Sequence, residues 1–246
     1  MSEHAVAFDH FIHWVDDIDA AMASYRDGGF PVRDALAMPG FRNAVWGVDD
    51  ERYVELATVD DWDAVATSKY AGSLAILRPA IDALSAPGPL TFAVDVPDAR
   101  ATAARLRAAG YAVDDIEVRF EEQGVGFVEV FVRDAPAFFP FFITYDPPRA
   151  EIARMRAEHR AAEGVHADDS PDLVAVLARS TEPEADARLL AEFLGCPVSG
   201  STVTLPGAEV RFEEGATTGL YGIAVSGLAP AATPTEVAGM AIIAER

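Results

Sequence analysis

The chain repeats its own order of elements, and that repetition narrows its possible folds more than any single motif does. Residues 8–15, FDHFIHWV, are aromatic and branched as a strand should be. DDIDAAMASYRDGG after them opens on acids and stops at glycine, as a helix does. Three further strand candidates follow, FPVRDALAM, FRNAVWGV and RYVELATV, with turns at Pro39-Gly40 and Asp49-Asp50. Residues 8–59 therefore read βαβββ. LTFAVDV, the helical PDARATAARLRAAG and the strands YAVDDIEVRF, GFVEVFV and FFPFFITY return the same order over 90–145. Setting Asp17 against Asp98 aligns the two helix starts and brings Gly29-Phe30 opposite Gly110-Tyr111 at the helix ends.

A third, shorter copy runs over 172–228: DLVAVLARS, the helix EPEADARLLAEFLG, the hairpin STVTLPGAEVRFEEG, then LYGIAVSGL. The expected class is α+β, built from tandem βαβββ units. Residues 1–148 form one domain with a helical connector at 60–89, residues 149–171 a polar link, and residues 172–246 the third unit and a tail. The Ala- and Pro-rich stretch from Ala229 onward is expected to be peripheral.

Across 246 residues, half are hydrophobic and about a quarter charged, which is globular composition. No apolar run approaches the roughly 18–20 residues that span a bilayer, and MSEHAVAFDH lacks a basic segment followed by an apolar one, so a cytoplasmic location with no membrane partner is expected. Cys196 is the sole cysteine, which excludes an intrachain disulfide and a cysteine-based zinc cage and leaves it as a small apolar filler after a helix. Forty acidic side chains against nineteen basic ones give a net charge of −21, which repels a phosphate backbone and argues against nucleic acid as a partner.

FDHFIHWVDDIDAAMASYRDGGF followed by FRNAVWGVDDERYVELATVDD resembles the glyoxalase-like domain of the vicinal-oxygen-chelate superfamily. Asp9-His10, the aspartate at the helix start, Arg42-Asn43 and Tyr53-Val54-Glu55-Leu56 fall in the family's order, and APAFFPFFITYDPP is similar to a later segment of the domain. The likeness covers residues 8 to about 148, and the third copy loosely. It implies that two βαβββ units pair into a curved, half-open barrel around a small-molecule pocket, where a divalent metal commonly chelates neighbouring substrate oxygens. The implied function is a lyase or isomerase acting on a small carbonyl or vicinally oxygenated compound. The alternative is a metal-free binding protein resembling the drug-sequestering members.

Strand alternation puts His10, Ile12 and Trp14 on one face and Asp9, Phe11 and His13 on the other. His10 matches the family's first-strand ligand position and Glu55, between Tyr53 and Ala57 on its face, the fourth-strand carboxylate position. An acid inside an apolar strand is expensive to bury without a partner, so Glu55 reads as general base or metal ligand and His10 as acid, base or ligand. The plainer readings are a structural ion pair for Glu55 and a satisfied core histidine for His10. Asn43, a poor strand former in mid-strand, reads as a substrate anchor. Trp14, Trp46, Tyr53, Phe141 and Phe142 are the expected pocket lining.

His13 reads as structural beneath the helix, Arg42 as a surface partner for acids, and His4, His159 and His166 as solvent-facing. The second unit supplies no matching ligand pair. The register equates His10 with Thr91, and the strand equivalent to that of Glu55 reads Pro140-Phe141-Phe142-Ile143-Thr144. His10 and Glu55 alone fall short of the three protein ligands a catalytic divalent metal takes. The third unit is expected to cover its apolar sheet face against the first two units or against a second subunit, as a homodimer.

Overall fold

The computed structural model describes residues 6–162, 170–228 and 236–245. The first unit comprises β1 (Ala7–Trp14), α1 (Ile18–Asp27), β2 (Arg33–Met38), β3 (Phe41–Gly47) and β4 (Tyr53–Val59). A connector of α2 (Trp62–Val65) and α3 (Ala71–Ala83) leads to the second: β5 (Gly88–Asp95), α4 (Ala99–Ala108), β6 (Val113–Phe120), β7 (Val125–Val132) and β8 (Phe141–Asp146). The Asp17 carboxylate accepts from Ala20 N at 3.0 Å and caps α1, and Asp98 accepts from Ala101 N at 2.9 Å and caps α4. Both helices start at equivalent residues. The strands form one curled sheet in the order β2-β3-β4-β1-β5-β8-β7-β6, so the units meet at the antiparallel β1–β5 seam.

The polar link at 149–171 is not simply a linker, because it carries α5 (Arg149–Ala162). Beyond it come β9 (Asp172–Ser180), α6 (Pro183–Leu194), β10 (Val198–Ser199), β11 (Thr202–Leu205), β12 (Ala208–Glu214), β13 (Gly219–Ser226), β14 (Glu236–Val237) and β15 (Met240–Ala244). Their sheet order, β10-β11-β12-β9-β13-β15-β14, copies the first sheet. β9 pairs parallel with β12 as β1 does with β4, antiparallel with β13 as β1 does with β5, and β13 pairs parallel with β15 as β5 does with β8.

LYGIAVSGL therefore opens a fourth, shortened unit and does not close the third. The C-terminal segment expected to be peripheral supplies two of its strands, with Val237, Met240 and Ile242 buried. The Ala and Pro residues ahead of these strands hid the short apolar run MAIIA, which pairs parallel with β13 and antiparallel with β14.

Each unit also carries a bulge at the same place. Between the pairs Phe8↔Val94 and His10↔Ala93 the first strand has one extra residue, Asp9; between Ile12↔Thr91 and His13↔Pro89 the fifth has one, Leu90. In the second sheet Val174 and Tyr221 are the corresponding extra residues.

One core joins the two sheets. Phe8, Phe11, Phe92, Val94, Phe138 and Phe142 from the first sheet side share it with Val176, Val210, Phe212 and Ile223 from the second and Leu190 and Phe193 from α6. Phe139 lies 4.2 Å from Phe193 between ring centroids and Phe138 4.9 Å from Phe212. The third unit's apolar face is thus covered within the same chain. Backbone and side-chain bonds stitch the seam: Phe8 N donates to Pro206 O at 2.8 Å, and Arg52 donates to Leu173 O and to Asp172.

Gly239, in the β14–β15 turn, has φ 79°, and a Cβ there would sit 1.9 Å from Pro87 O. Gly239→Ala should therefore cost about 2 kcal/mol, lowering Tm by roughly 4–8 °C. Calorimetry giving an unchanged Tm would contradict this close docking of the turn on the connector before β5.

Candidate active site

Between the concave face of the first sheet and α3 lies a cavity of about 80 Å³. His10, Trp14, Tyr53 and Glu55 line it from the first unit, Glu129 and Tyr145 from the second, and Tyr70, Ser73 and Leu77 from the connector that roofs it. The volume suits the reacting end of a small molecule. Beyond Leu77 and Phe141 a larger groove of about 610 Å³ continues under α3, walled by Phe131, Phe139 and Leu90.

The β1 bulge builds the first catalytic candidate. As the extra residue, Asp9 escapes strict alternation and lies beside His10, with Asp9 Oδ1 2.6 Å from His10 Nδ1. Burial works to raise the Asp9 pKa, but the bond to His10 and the charges of His10, Arg156 and Arg149 outweigh it and hold the carboxyl below the ordinary 3.8. An ionised Asp9 only accepts, so the His10 proton resides on Nδ1, and Tyr145 donates its hydroxyl to the same oxygen at 2.7 Å. His10 Nε2 is left facing the cavity, 3.7 Å from Glu55 Oε2. Tyr53 stacks on the imidazole with centroids 4.5 Å apart and Phe141 meets it edge-on at 5.5 Å.

Glu55 pairs across the ladder with Val45 and is gripped diagonally by Asn43, whose Nδ2 donates to Oε1 at 2.6 Å. Asn43 Oδ1 accepts from Leu36 N at 2.7 Å, a backbone donor freed by the register shift between Asp34 and Ala37 on β2. That explains an asparagine in mid-strand: it fills a gap in the ladder and holds Glu55. Both of these bonds end on protein groups, and the side chain also borders the neighbouring cavity.

Glu129, on β7, reaches the same cavity from the second unit and accepts from Ser73 of α3. Burial pushes its pKa up to about 7, against the opposing effects of the Ser73 bond and His10.

Two other expected lining residues lie elsewhere. Trp46 is fully buried on the opposite face, packed on Phe30 and donating Nε1–H to Ser170 Oγ at 2.7 Å, and Phe142 packs on Phe193 in the inter-sheet core. Alternation accounts for both, since Trp46 follows Val45 and Phe142 sits between the pocket-side Phe141 and Ile143. Trp14, Tyr53 and Phe141 do face the concave side. His13 lies beneath α1, its Nδ1 2.9 Å from Tyr25 Oη and its Nε2 3.0 Å from Ala238 O. Arg42 pairs with Asp19 and Asp34. His159 is exposed on α5, and His4 and His166 lie outside the described residues.

Sequence reasoning passed over Glu129, although GFVEVFV places an acid in an apolar strand just as YVELATV does. It also passed over the arginines of α5. Arg149 approaches Asp9 Oδ2 and Asp95 Oδ2, each at 3.6 Å, and Arg156 lies over the Tyr53 ring at 4.7 Å. Both were hidden in a segment read as a link, though 149, 156 and 160 share one helical face.

Buried His13 and Glu129 give opposite pH dependences. Burial pushes His13 down to about 4 from 6.5. The unfolded chain therefore binds a proton the folded chain refuses, and stability is lost as pH falls from 6.5 to 4. Glu129, raised from 4.5 to about 7, binds a proton in the folded chain that the unfolded chain releases, so its contribution is lost as pH rises from 4.5 to 7. Each is worth about 3 kcal/mol across its window, and between pH 4.5 and 6.5 they nearly cancel. Glu129→Gln removes one partner, so its urea midpoint should fall between pH 7 and 4.5 by the equivalent of about 2–3 kcal/mol. A variant as insensitive to pH as the parent would rule the pairing out.

The second unit offers His10 and Glu55 no matching donor pair. Thr91 stands where His10 has its counterpart, and Phe141 pairs with Ala93 as Glu55 pairs with Ile12. Among the described residues no three His, Cys, Asp or Glu side chains converge as a group able to hold an ion. Among those residues, too, no helix is long and apolar enough to cross a membrane.

Two solved structures carry the same fold. A hypothetical protein from Staphylococcus aureus is similar over 98% of this chain and 99% of its own, with 17% identity and a TM-score of 0.75. The Mn(II)-bound glyoxalase from Novosphingobium aromaticivorans is similar over 92% of this chain and 67% of its own, at 15% identity and a TM-score of 0.51. Methylmalonyl-CoA epimerase from Mycobacterium tuberculosis matches 56% of this chain and 86% of its own at 22% identity, with a TM-score of 0.39. No curated protein matches the chain. A family profile described as glyoxalase-like domain matches residues 8–194. With its tandem βαβββ units and curled sheet, the chain belongs to the glyoxalase-like domain family of the vicinal-oxygen-chelate superfamily.

Proposed function

We propose that the protein is an enzyme of lyase or isomerase type that moves a proton on a small carbonyl or vicinally oxygenated compound. The observation that carries this reading is the convergence of Glu55, His10 and Glu129 on one small cavity, each held by its own protein partner. Glu55, fixed by Asn43, takes the proton from the carbon beside the carbonyl. Charge then develops on the carbonyl oxygen, where Glu129, still partly protonated near pH 7, donates its proton. His10, oriented by Asp9, presents the lone pair of Nε2 to the same space and accepts a hydrogen bond from a substrate hydroxyl, while the proton held by Glu55 returns to carbon. Proton count balances: one leaves carbon, one reaches oxygen, and the reverse transfers regenerate both carboxyls. No step is routed through a metal.

The test is solvent exchange. Incubated in D2O with a panel of α-hydroxycarbonyl compounds and acyl thioesters, the protein should wash deuterium into the position beside the carbonyl, seen as loss of that proton's NMR signal. Tight binding without exchange across the panel would instead favour the sequestering reading.

A further inference from the structure

The reacting cavity adjoins a space much larger than itself. The groove under α3 holds about 610 Å³ against about 80 Å³ for the cavity, and Leu77 lines both. Phe141 stands at the junction. It meets the His10 imidazole edge-on at 5.5 Å, and it stacks on Phe131, a wall of the groove, with centroids 5.0 Å apart. A ligand whose reacting end sits beside His10 therefore has one direct way to extend, past Leu77 and along these two rings.

The floor of the groove carries none of the chemistry found in the cavity. Thr91 takes the place of His10 in the repeat and Phe141 that of Glu55. The Thr91 hydroxyl donates to Phe139 O at 3.4 Å, so its proton is directed at the backbone. Among the described residues that line the groove, the other buried side chains are Leu90, Phe131, Phe139, Pro140 and Phe141, all apolar. The charged residues stand at the mouth. Arg133 and Asp134 are exposed, and half-buried Asp114 is paired with Arg133 at 2.8 Å.

This gradient selects a class of ligand. A polar or charged extension would give up its hydration against the floor and find no buried side-chain partner except a hydroxyl already engaged. A hydrocarbon extension gives up only unfavourable contact with water, and a concave space of this volume with such a floor suits it.

We infer that the groove binds the hydrocarbon tail of the substrate, which is an amphiphile with its carbonyl and neighbouring oxygen at one end. The placing of that polar end beside Glu55 rests on the proton-transfer reading above. Binding of the tail does not.

The test is an NMR titration of the full chain with hydroxyacetone, 1-hydroxybutan-2-one, 1-hydroxyhexan-2-one and 1-hydroxyoctan-2-one, observing the ligands. The four share one head and differ in tail. Burying each methylene should tighten binding about two- to fourfold, so the longest compound should bind at least about thirtyfold more tightly than the shortest. Ala75→Trp and Thr91→Met add bulk on the groove's two sides, and each should cut that ratio about tenfold. Ala75 is exposed on α3, so its replacement leaves the core intact. If Thr91→Met does not fold, as judged by its circular dichroism, Ala75→Trp decides alone. Affinity that does not grow with the tail, or growth undiminished in the folded variants, would overturn the assignment. Run in D2O, the same samples also report exchange. Length-dependent binding with no exchange on any of the four compounds would sink the proton-transfer reading and leave the tail site standing.

Discussion

Glu55→Gln should lower turnover by roughly 10²–10⁴-fold while leaving the melting temperature nearly unchanged. The size follows from losing the only charge on that wall able to take a proton from carbon, since glutamine has no basic oxygen at neutral pH. The small structural cost follows from geometry. Glutamine keeps a carbonyl oxygen to accept the Asn43 amide, now at 2.6 Å, and can present its NH2 toward His10 Nε2, now 3.7 Å from the carboxylate. Glu55→Ala would empty the space and confound chemistry with packing. The measurement is the initial rate of solvent deuterium uptake by the best compound of the panel, beside a thermal melt. Wild-type exchange in a folded Glu55→Gln protein removes Glu55 from the mechanism.

A chain ended after Asp169 should fail to give a soluble monomer. It would keep the whole first sheet and its cavity but expose the underside that now meets α6 and the second sheet. Phe8, Phe92, Val94, Phe138, Phe139 and Phe142 lie on that side, all buried. At roughly 2 kcal/mol for each such side chain returned to water, the loss is about 12 kcal/mol, as large as the net stability of a typical domain. Exposed aromatics on one face would also drive association. Size-exclusion chromatography and urea unfolding decide the matter. A truncated chain that elutes as a monomer with the parent's unfolding midpoint would show that the two sheets are independent.

The repeat was legible because it is written in local signals. An Asp cap, an apolar helix face and a Gly stop recur in register at 17 and 98, and each acts within a few residues. His10 and Glu55 were legible for a related reason, because their faces follow from alternation along a strand. What alternation could not show was its own interruption. The bulge at Asp9 is a property of two strands together, visible only in the pairing of β1 with β5. Without it Asp9 would face away from His10. The same limit explains Trp46 and Phe142, where aromatic character was mistaken for orientation. The arginines of α5 belong to a further class: their importance lies in where a helix docks, and nothing in RAEIARMRAEHR names the surface beneath it.

The bulge recurs in all four units, but its surroundings do not. In the second sheet Ala175 occupies the place of His10, and Arg211, paired with Leu177 as Glu55 is with Ile12, occupies the place of the carboxylate. Arg211 is closed off by Glu209 and Glu245, and Arg179 lies over Tyr221 on the same surface. The four units thus share one fold, and the cavity lined by His10 and Glu55 belongs to the first sheet. The second sheet repeats the fold with an ion-paired surface where the first has a cavity, so its open face can change without moving the groups around His10.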